Sequence, residues 1–202
     1  MIIENWWPQH IAYCFNPNHS LIENELTNHC LKIRDSVDEV GQDNWISNTY
    51  NSPIDIYSDK KFFELNIWVE EQVKLYIKKL KMFTFNDKTE KLIELNNNKG
   101  GWFNIYEKNS FQEYHSHNSL ISCIYYLKSN TNDAKTWFES PVNDQLFIEY
   151  PKDNNSPNGT VFHSPKAGKL LIFRGYVRHC VEQKQTDDLR ITLAYNFNRY
   201  SC

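Results

Sequence analysis

Gln112-Glu-Tyr-His115-Ser-His117-Asn-Ser-Leu-Ile-Ser-Cys-Ile-Tyr-Tyr126-Leu127 decides the fold. It holds two short runs of aromatic and β-branched residues, parted by Asn118-Ser119. Neither run is long enough for a helix or has helical spacing, so both read as strands, near 111–116 and 120–128. The same texture extends on both sides, with further strands expected near 91–96, 102–107, 135–139, 145–150, 159–162, 169–173, 177–182 and 189–198. Lys99-Gly100-Gly101 and Asn158-Gly159 are hairpin-type turns. So many short strands in about 110 residues, with no helical pattern between them, predict an antiparallel double-sheet roll or barrel.

Upstream the period changes. Ser20-Leu-Ile-Glu23 has capping-box form, and Ile22, Leu26, Ile33, Val37 and Val40 follow on one helical face. A second helix is expected from Asp59, with Phe62, Leu65, Val69, Val73, Tyr76 and Leu80 as its apolar stripe and Lys78, Lys79 and Lys81 in its last turns. Residues 41–58, with Asn44, Asn48, Asn51, Ser52 and Pro53, read as a surface loop. The expected fold class is therefore α+β, mainly β: a mainly helical part over 1–90 packed on one sheet of a β-roll over 91–202, in one domain.

The 202 residues are 40% hydrophobic and 23% charged, a globular composition that excludes wholesale disorder. A net charge of −3 gives no global attraction to nucleic acid or anionic membrane. No apolar run approaches the ~18 residues of a membrane span, and the start Met1-Ile-Ile-Glu4 lacks the basic region of a signal peptide. Five scattered cysteines, Cys14, Cys30, Cys123, Cys180 and Cys202, read as free thiols in a reducing, cytoplasmic setting. Oligomeric state is not indicated.

His115 and His117 form an H-x-H pair at a strand end, where alternate residues share a face. His179 stands on another strand. Two neighbouring ligands and a distant one can build a mononuclear metal site; an exposed or hydrogen-bonded pair is the other reading. Arg190 and Thr192 share a face of the last strand. An arginine aimed into a roll needs an anion, either a bound carboxylate or Asp187 or Asp188 beside it.

Asn104-Ile-Tyr106, His115-Ser-His117, Cys123-Ile-Tyr-Tyr126-Leu, Pro165-Lys-Ala-Gly168-Lys-Leu-Leu-Ile-Phe173, His179-Cys-Val181 and Arg190-Ile-Thr192 occur in order. Together they resemble the 2-oxoglutarate- and Fe(II)-dependent oxygenase superfamily, over about residues 100–198. The resemblance implies a double-stranded β-helix, a cupin-like jelly-roll, and hydroxylation of a substrate coupled to decarboxylation of 2-oxoglutarate to succinate and CO2, with Fe(II) and O2. It implies that His115 and His179 are iron ligands. Arg190 and Thr192 would hold the far carboxylate of 2-oxoglutarate, with Tyr126, Asn104 and Tyr106 beside it. Pro165 and Gly168 would shape a turn.

The departure is at position 117, where most of the superfamily carries Asp or Glu and this chain has histidine. The expectation is a three-histidine site, with Glu139 as the alternative source of a carboxylate and His117 then behind it. His10, His19 and His29 are expected at the surface, and His163 in a loop. Trp102 and Trp137 read as core. The substrate, whether small molecule, peptide or nucleobase, is not legible. Two other classes stay open: a three-histidine cupin-like dioxygenase that uses no 2-oxoglutarate, and a non-catalytic roll that binds a ligand or partner.

Overall fold

The structure, a computed structural model, describes residues 9–36, 42–43, 46–48, 54–82, 100–140 and 160–198. Its centre is a pair of eight-residue strands, β6 (Ile121–Lys128) and β11 (Arg190–Phe197). They run antiparallel, with Leu193 opposite Tyr125 and Thr192 opposite Tyr126. Both are buried almost end to end, because their sheet is covered on both faces. This explains why their sequences read as continuous apolar runs rather than as alternation.

Around this pair lies the larger sheet. On one side β6 pairs with β9 (Lys169–Arg174), and β9 with β1 (Ala12–Phe15). On the other, β11 pairs with β4 (Gly101–Tyr106), then β3 (Ile46–Asn48) and β2 (Gln42–Asp43). The order is β1-β9-β6-β11-β4-β3-β2. A smaller sheet of β5 (Gln112–His115), β10 (His179–Val181), β7 (Thr136–Glu139) and β8 (Thr160–His163), in that order, faces it. All pairings among the described strands are antiparallel. The result is the expected mainly-β double-sheet jelly-roll.

Two helices cover the outer face of the larger sheet. α1 (His19–Ser36) contributes Leu26 and Cys30 to the core there. α2 (Phe63–Lys79) contributes Leu65, Val69, Val73 and Tyr76, the stripe expected from its spacing. They pack with Phe103, Tyr125, Leu170, Leu193 and Tyr195 of the sheet. A second cluster, Ile124, Tyr126, Leu171, Phe173, Phe138 and Val177, fills the space between the sheets. Period-two alternation thus sends odd and even residues of one strand to two different cores.

The expectations need four corrections. First, the N-terminal part is not only helical: β1 pairs with β9 as an edge strand of the larger sheet, so this part supplies sheet as well as cover. Second, residues 42–43 and 46–48 are short strands added beside β4, not free loop. Third, Ser20 lies inside α1; the turn before it is made by Asn16, whose side chain accepts from the Asn18 amide at 2.9 Å. Fourth, His19 and His29 are not idle at the surface. His19 Nδ1 lies 2.8 Å from the Tyr125 hydroxyl, and His29 Nε2 lies 2.7 Å from Asp59. Asp59 itself caps a single 3-10 turn over Lys60–Phe62 ahead of α2, accepting from the Lys61 amide.

The expected strands near 91–96 and 145–150, the end of the first helix at Val37 and Val40, and both hairpin turns at their Lys99 and Asn158-Gly159 positions lie outside the described residues. Cys14, Cys30, Cys123 and Cys180 are free thiols. Among the described residues no helix is long and apolar enough to cross a membrane.

Candidate metal centre and carboxylate pocket

β5 and β10 are neighbours in the smaller sheet, and their register sets His115 directly opposite His179. Opposed residues on one face bring their side chains together, so the two rings lie with centroids 4.2 Å apart. His117 follows two residues after the strand ends. Its amide donates to the Gly175 carbonyl at 2.8 Å, which folds the segment back over the strands. Its ring then lies 5.0 Å from that of His115 and 5.1 Å from that of His179. One nitrogen from each of the three falls within 4.8 Å of the others. Among the described residues this is the group that can hold a metal ion.

The proton positions suit that role. His115 Nδ1 lies 2.8 Å from the Glu113 carbonyl, and His179 Nδ1 lies 3.0 Å from the Val177 carbonyl. A carbonyl only accepts, so each Nδ1 carries the hydrogen and each Nε2 keeps a free lone pair. Burial disfavours a charged imidazole at all three positions. It lowers His115, takes His117 down to about 4 with help from the His115 charge, and pushes His179 well down. Near neutrality the three rings are therefore uncharged nitrogen donors, a set that suits divalent iron, nickel, copper or zinc. The cluster is walled by aromatics: Phe138 stacks on His179 at 5.7 Å, Phe173 meets the same ring at 4.8 Å, and Trp102 lies 5.7 Å from His117.

Glu139 is not the missing carboxylate. It follows Phe138 on β7, so its side chain leaves from the opposite face, where it pairs with Arg178 at 3.1 Å. Position 117 thus brings an imidazole to the cluster, and among the described residues no acid joins it.

The second half of the site lies on the inner face of the larger sheet. Arg190 stands opposite Tyr106, and Thr192 opposite both Asn104 and Tyr126. By period two these five side chains share one surface. Arg190 is 0% exposed, and its guanidinium lies 4.8 Å from the Tyr106 ring and 5.4 Å from the Tyr126 ring. Nη1 donates to the Ala134 carbonyl, and Nη2 makes a long 3.4 Å contact with Thr136 Oγ1. Nε is buried with no acceptor among the described residues. Asp187 and Asp188 do not compensate it: Asp187 pairs with Lys108 at 3.1 Å, and Asp188 accepts from Asn130 at 2.7 Å. A buried guanidinium with one idle donor and no ion pair among the described residues fits an added planar carboxylate.

The neighbours complete the pocket. Tyr126 and Thr136 hydroxyls are 2.7 Å apart, Asn104 Nδ2 donates to Thr192 Oγ1 at 3.3 Å, and the Tyr106 hydroxyl donates to Gln112 at 3.2 Å. The Arg190 charge draws the Tyr106 and Tyr126 pKa values down, but burial dominates and raises both, Tyr106 to about 12, so both phenols stay protonated.

His115, His117 and His179 fall in the first of these places, and Arg190, Thr192, Tyr126, Asn104 and Tyr106 in the second. Trp137 falls in neither: its indole donates to Glu182 at 2.6 Å outside the cluster. His163 ends β8 and touches Phe138 and Lys169, one ring removed from His179. Trp102, read as core, is buried but lies against a histidine of the cluster. Thr136, Asp133, Ala134 and Lys184 were not singled out. Asp133, Ala134 and Lys184 sit in turn-rich connections, where no periodicity marks which side chain points inward, and Thr136 opens β7 directly after one of them.

Residues 100–196 match a family model described as "Putative 2OG-Fe(II) oxygenase". Solved structures resemble the whole chain. A Pseudomonas putida prolyl-4-hydroxylase is 18% identical with a TM-score of 0.59, over 96% of this chain and 94% of that one. HygX from Streptomyces hygroscopicus, with nickel and 2-oxoglutarate bound, is 12% identical with a TM-score of 0.60, over 95% and 83%. A Trichoplax adhaerens prolyl hydroxylase in complex with a hypoxia inducible factor oxygen degradation domain peptide fragment is 14% identical with a TM-score of 0.55, over 94% and 83%. At these identities the likeness is one of fold. No curated protein matches the chain by sequence.

Proposed function

We propose that this chain is a 2-oxoglutarate- and Fe(II)-dependent oxygenase, as the family match over residues 100–196 supports, and that it hydroxylates an organic substrate while 2-oxoglutarate is decarboxylated to succinate and CO2. One observation carries the reading: three converging neutral imidazoles share the roll's interior with a fully buried arginine whose Nε has no acceptor. Fe(II) and 2-oxoglutarate, when bound, supply O2 activation and the oxidising equivalents.

His115, His117 and His179 would hold the metal through nitrogen. The carbonyls of Glu113 and Val177 fix two of the rings in the donor tautomer. Arg190 would present its Nε–Nη2 edge to the far carboxylate of 2-oxoglutarate, with Thr192 and the Tyr126 hydroxyl beside it. Asn104 and Tyr106 hold Thr192 and the floor of the pocket. Phe138, Phe173 and Trp102 keep water from the histidines, which preserves their neutral state.

The test is an anaerobic titration of metal-free protein with Fe(II) and then 2-oxoglutarate, read by the visible charge-transfer band. The band is expected only with both present and is lost in His179→Ala. Arg190→Met is expected to weaken 2-oxoglutarate by about 100-fold, the scale of losing charge-assisted hydrogen bonds.

The all-imidazole donor set favours a second reading, a three-histidine dioxygenase that uses no 2-oxoglutarate. Iron uptake with no band, and no effect of Arg190→Met on any oxygenase activity, would select it. Iron uptake by neither route would leave a non-catalytic roll.

A further inference from the structure

Among the described residues one ion pair is wholly internal. Lys184 Nζ lies 3.3 Å from Asp133 Oδ1, and the two residues are 0% and 5% exposed. A buried pair gains little over well-packed apolar residues, because both ions must be desolvated. Its value therefore lies in where it stands.

It stands behind Arg190. Asp133 Oδ1 also accepts from the Ala134 amide at 2.7 Å, and the carbonyl of that same Ala134 takes Nη1 of Arg190. Two residues on, Thr136 Oγ1 meets Arg190 Nη2 and the Tyr126 hydroxyl. Burial is the main cause of the raised Tyr126 pKa, and the charge of Asp133 adds to it. Lys184 is held from its own side: Nζ donates to the carbonyl and hydroxyl of Thr186, its amide donates to Ser110 at 2.9 Å, and its carbonyl accepts from Asn109 at 2.8 Å.

Two atoms are left over. Asp133 Oδ2 and Arg190 Nε are both buried with no hydrogen-bond partner among the described residues. They are an acceptor and a donor of opposite charge in neighbouring parts of one interior. Unrestrained, an arginine and an aspartate so placed would pair with each other, and the arginine would then be closed to any other carboxylate.

We propose that Lys184 is a positioning residue that holds Asp133 away from Arg190 and so keeps the arginine free for the carboxylate of the co-substrate. This rests on the proposed 2-oxoglutarate reading. Lys184 cancels the aspartate, so the surplus positive charge of the group resides on Arg190. An incoming carboxylate makes the group neutral. In this arrangement Asp133 orients Ala134 through its backbone amide, while its own charge is a competitor that must be restrained.

The test measures the dissociation constant of 2-oxoglutarate for the anaerobic Fe(II) protein, by calorimetry or the charge-transfer band. Lys184→Met is expected to weaken 2-oxoglutarate by about tenfold or more, because Asp133 then captures Arg190. The double variant Lys184→Met/Asp133→Asn removes the competitor and is expected to return to within about threefold of wild type. A merely structural role would make the double variant at least as poor as the single. Wild-type affinity in Lys184→Met, or no recovery in the double variant, overturns the proposal. Where Lys184→Met does not fold, Asp133→Asn decides: binding at or above wild-type strength supports the proposal, and a loss of about tenfold overturns it. If wild type binds Fe(II) but no 2-oxoglutarate, the functional reading itself fails. If wild type binds and Arg190→Met does not, a null result at Lys184 defeats this inference alone.

Discussion

His115 and His179 owe their aim to a carbonyl two residues earlier, and His117 owes its place to the backbone bond from its amide to Gly175. The donor set is therefore built from local geometry, and it makes a sharp expectation at this scale. Alanine at His115 or His179 should lower Fe(II) or Co(II) affinity by more than about 100-fold, beyond the usual effect of losing an outer partner. Glu139→Gln should leave metal affinity unchanged, because that carboxylate serves Arg178 on the far face. Calorimetric titration separates the two, and a loss in Glu139→Gln would return the carboxylate to the metal.

The same histidines predict a pH dependence of the metal-free fold. Burial holds their folded pKa values below the ordinary 6.5, that of His117 at about 4. Between these values the unfolded chain takes up protons that the native chain refuses. Stability is then complete above about pH 6.5 and declines as pH falls toward 4. Thermal midpoints of the apo-protein should fall through that window, and less steeply in His117→Gln. A slope unchanged by the substitution would mean that His117 is not a source of it.

At the scale of elements, β11 does two jobs with two faces. Arg190, Thr192 and Ala194 look between the sheets, while Ile191, Leu193 and Tyr195 look toward the helices. Leu193→Ala should cost about 2–5 kcal/mol, the ordinary cost of a cavity in a closed core, measured as a shift in urea midpoint. It should leave metal affinity intact in the folded fraction, because it opens the other core. The turn before β9 is a second element-level constraint. Gly168 has φ +80, and a Cβ there would lie 2.8 Å from Cγ of His19. Gly168→Ala combines a left-handed conformation with a contact that moves His19, and should cost about 1–3 kcal/mol. Chemical denaturation measures it, and a neutral substitution would show that the turn can relax.

For the molecule as a whole, the site joins elements that are distant in sequence. β5 and β10 supply the metal cluster, while β4, β6 and β11 supply the carboxylate pocket. Ligands that bind such a site stabilise all of these elements together. Adding 2-oxoglutarate at 100 times its dissociation constant to the metal-loaded protein should stabilise it by about 2.7 kcal/mol. The same addition should do much less without metal. Calorimetric melting shows both, and equal shifts with and without metal would mean that the co-substrate does not bind through the metal.

The sequence by itself determined what depends on local period and on residue type. The strand runs at 120–128, 169–173 and 189–198, the apolar stripe of α2, the H-x-H pair and the Arg190–Thr192 face all follow from spacing along the chain, and the ordered motifs added the roles. Tertiary structure decided the rest. β1, β2 and β3 carry no strong strand pattern of their own and become strands by pairing with β9 and β4. Whether Glu139 or His117 faces the other histidines depended on which side of β7 met β10. Asp133 and Lys184 are ordinary charged residues in polar turns until the packed roll removes both from water and links them through Ala134 to Arg190. Pattern along a chain records which face a side chain leaves from. Only packing records what it meets there, because burial and long-range pairing are properties of the folded chain.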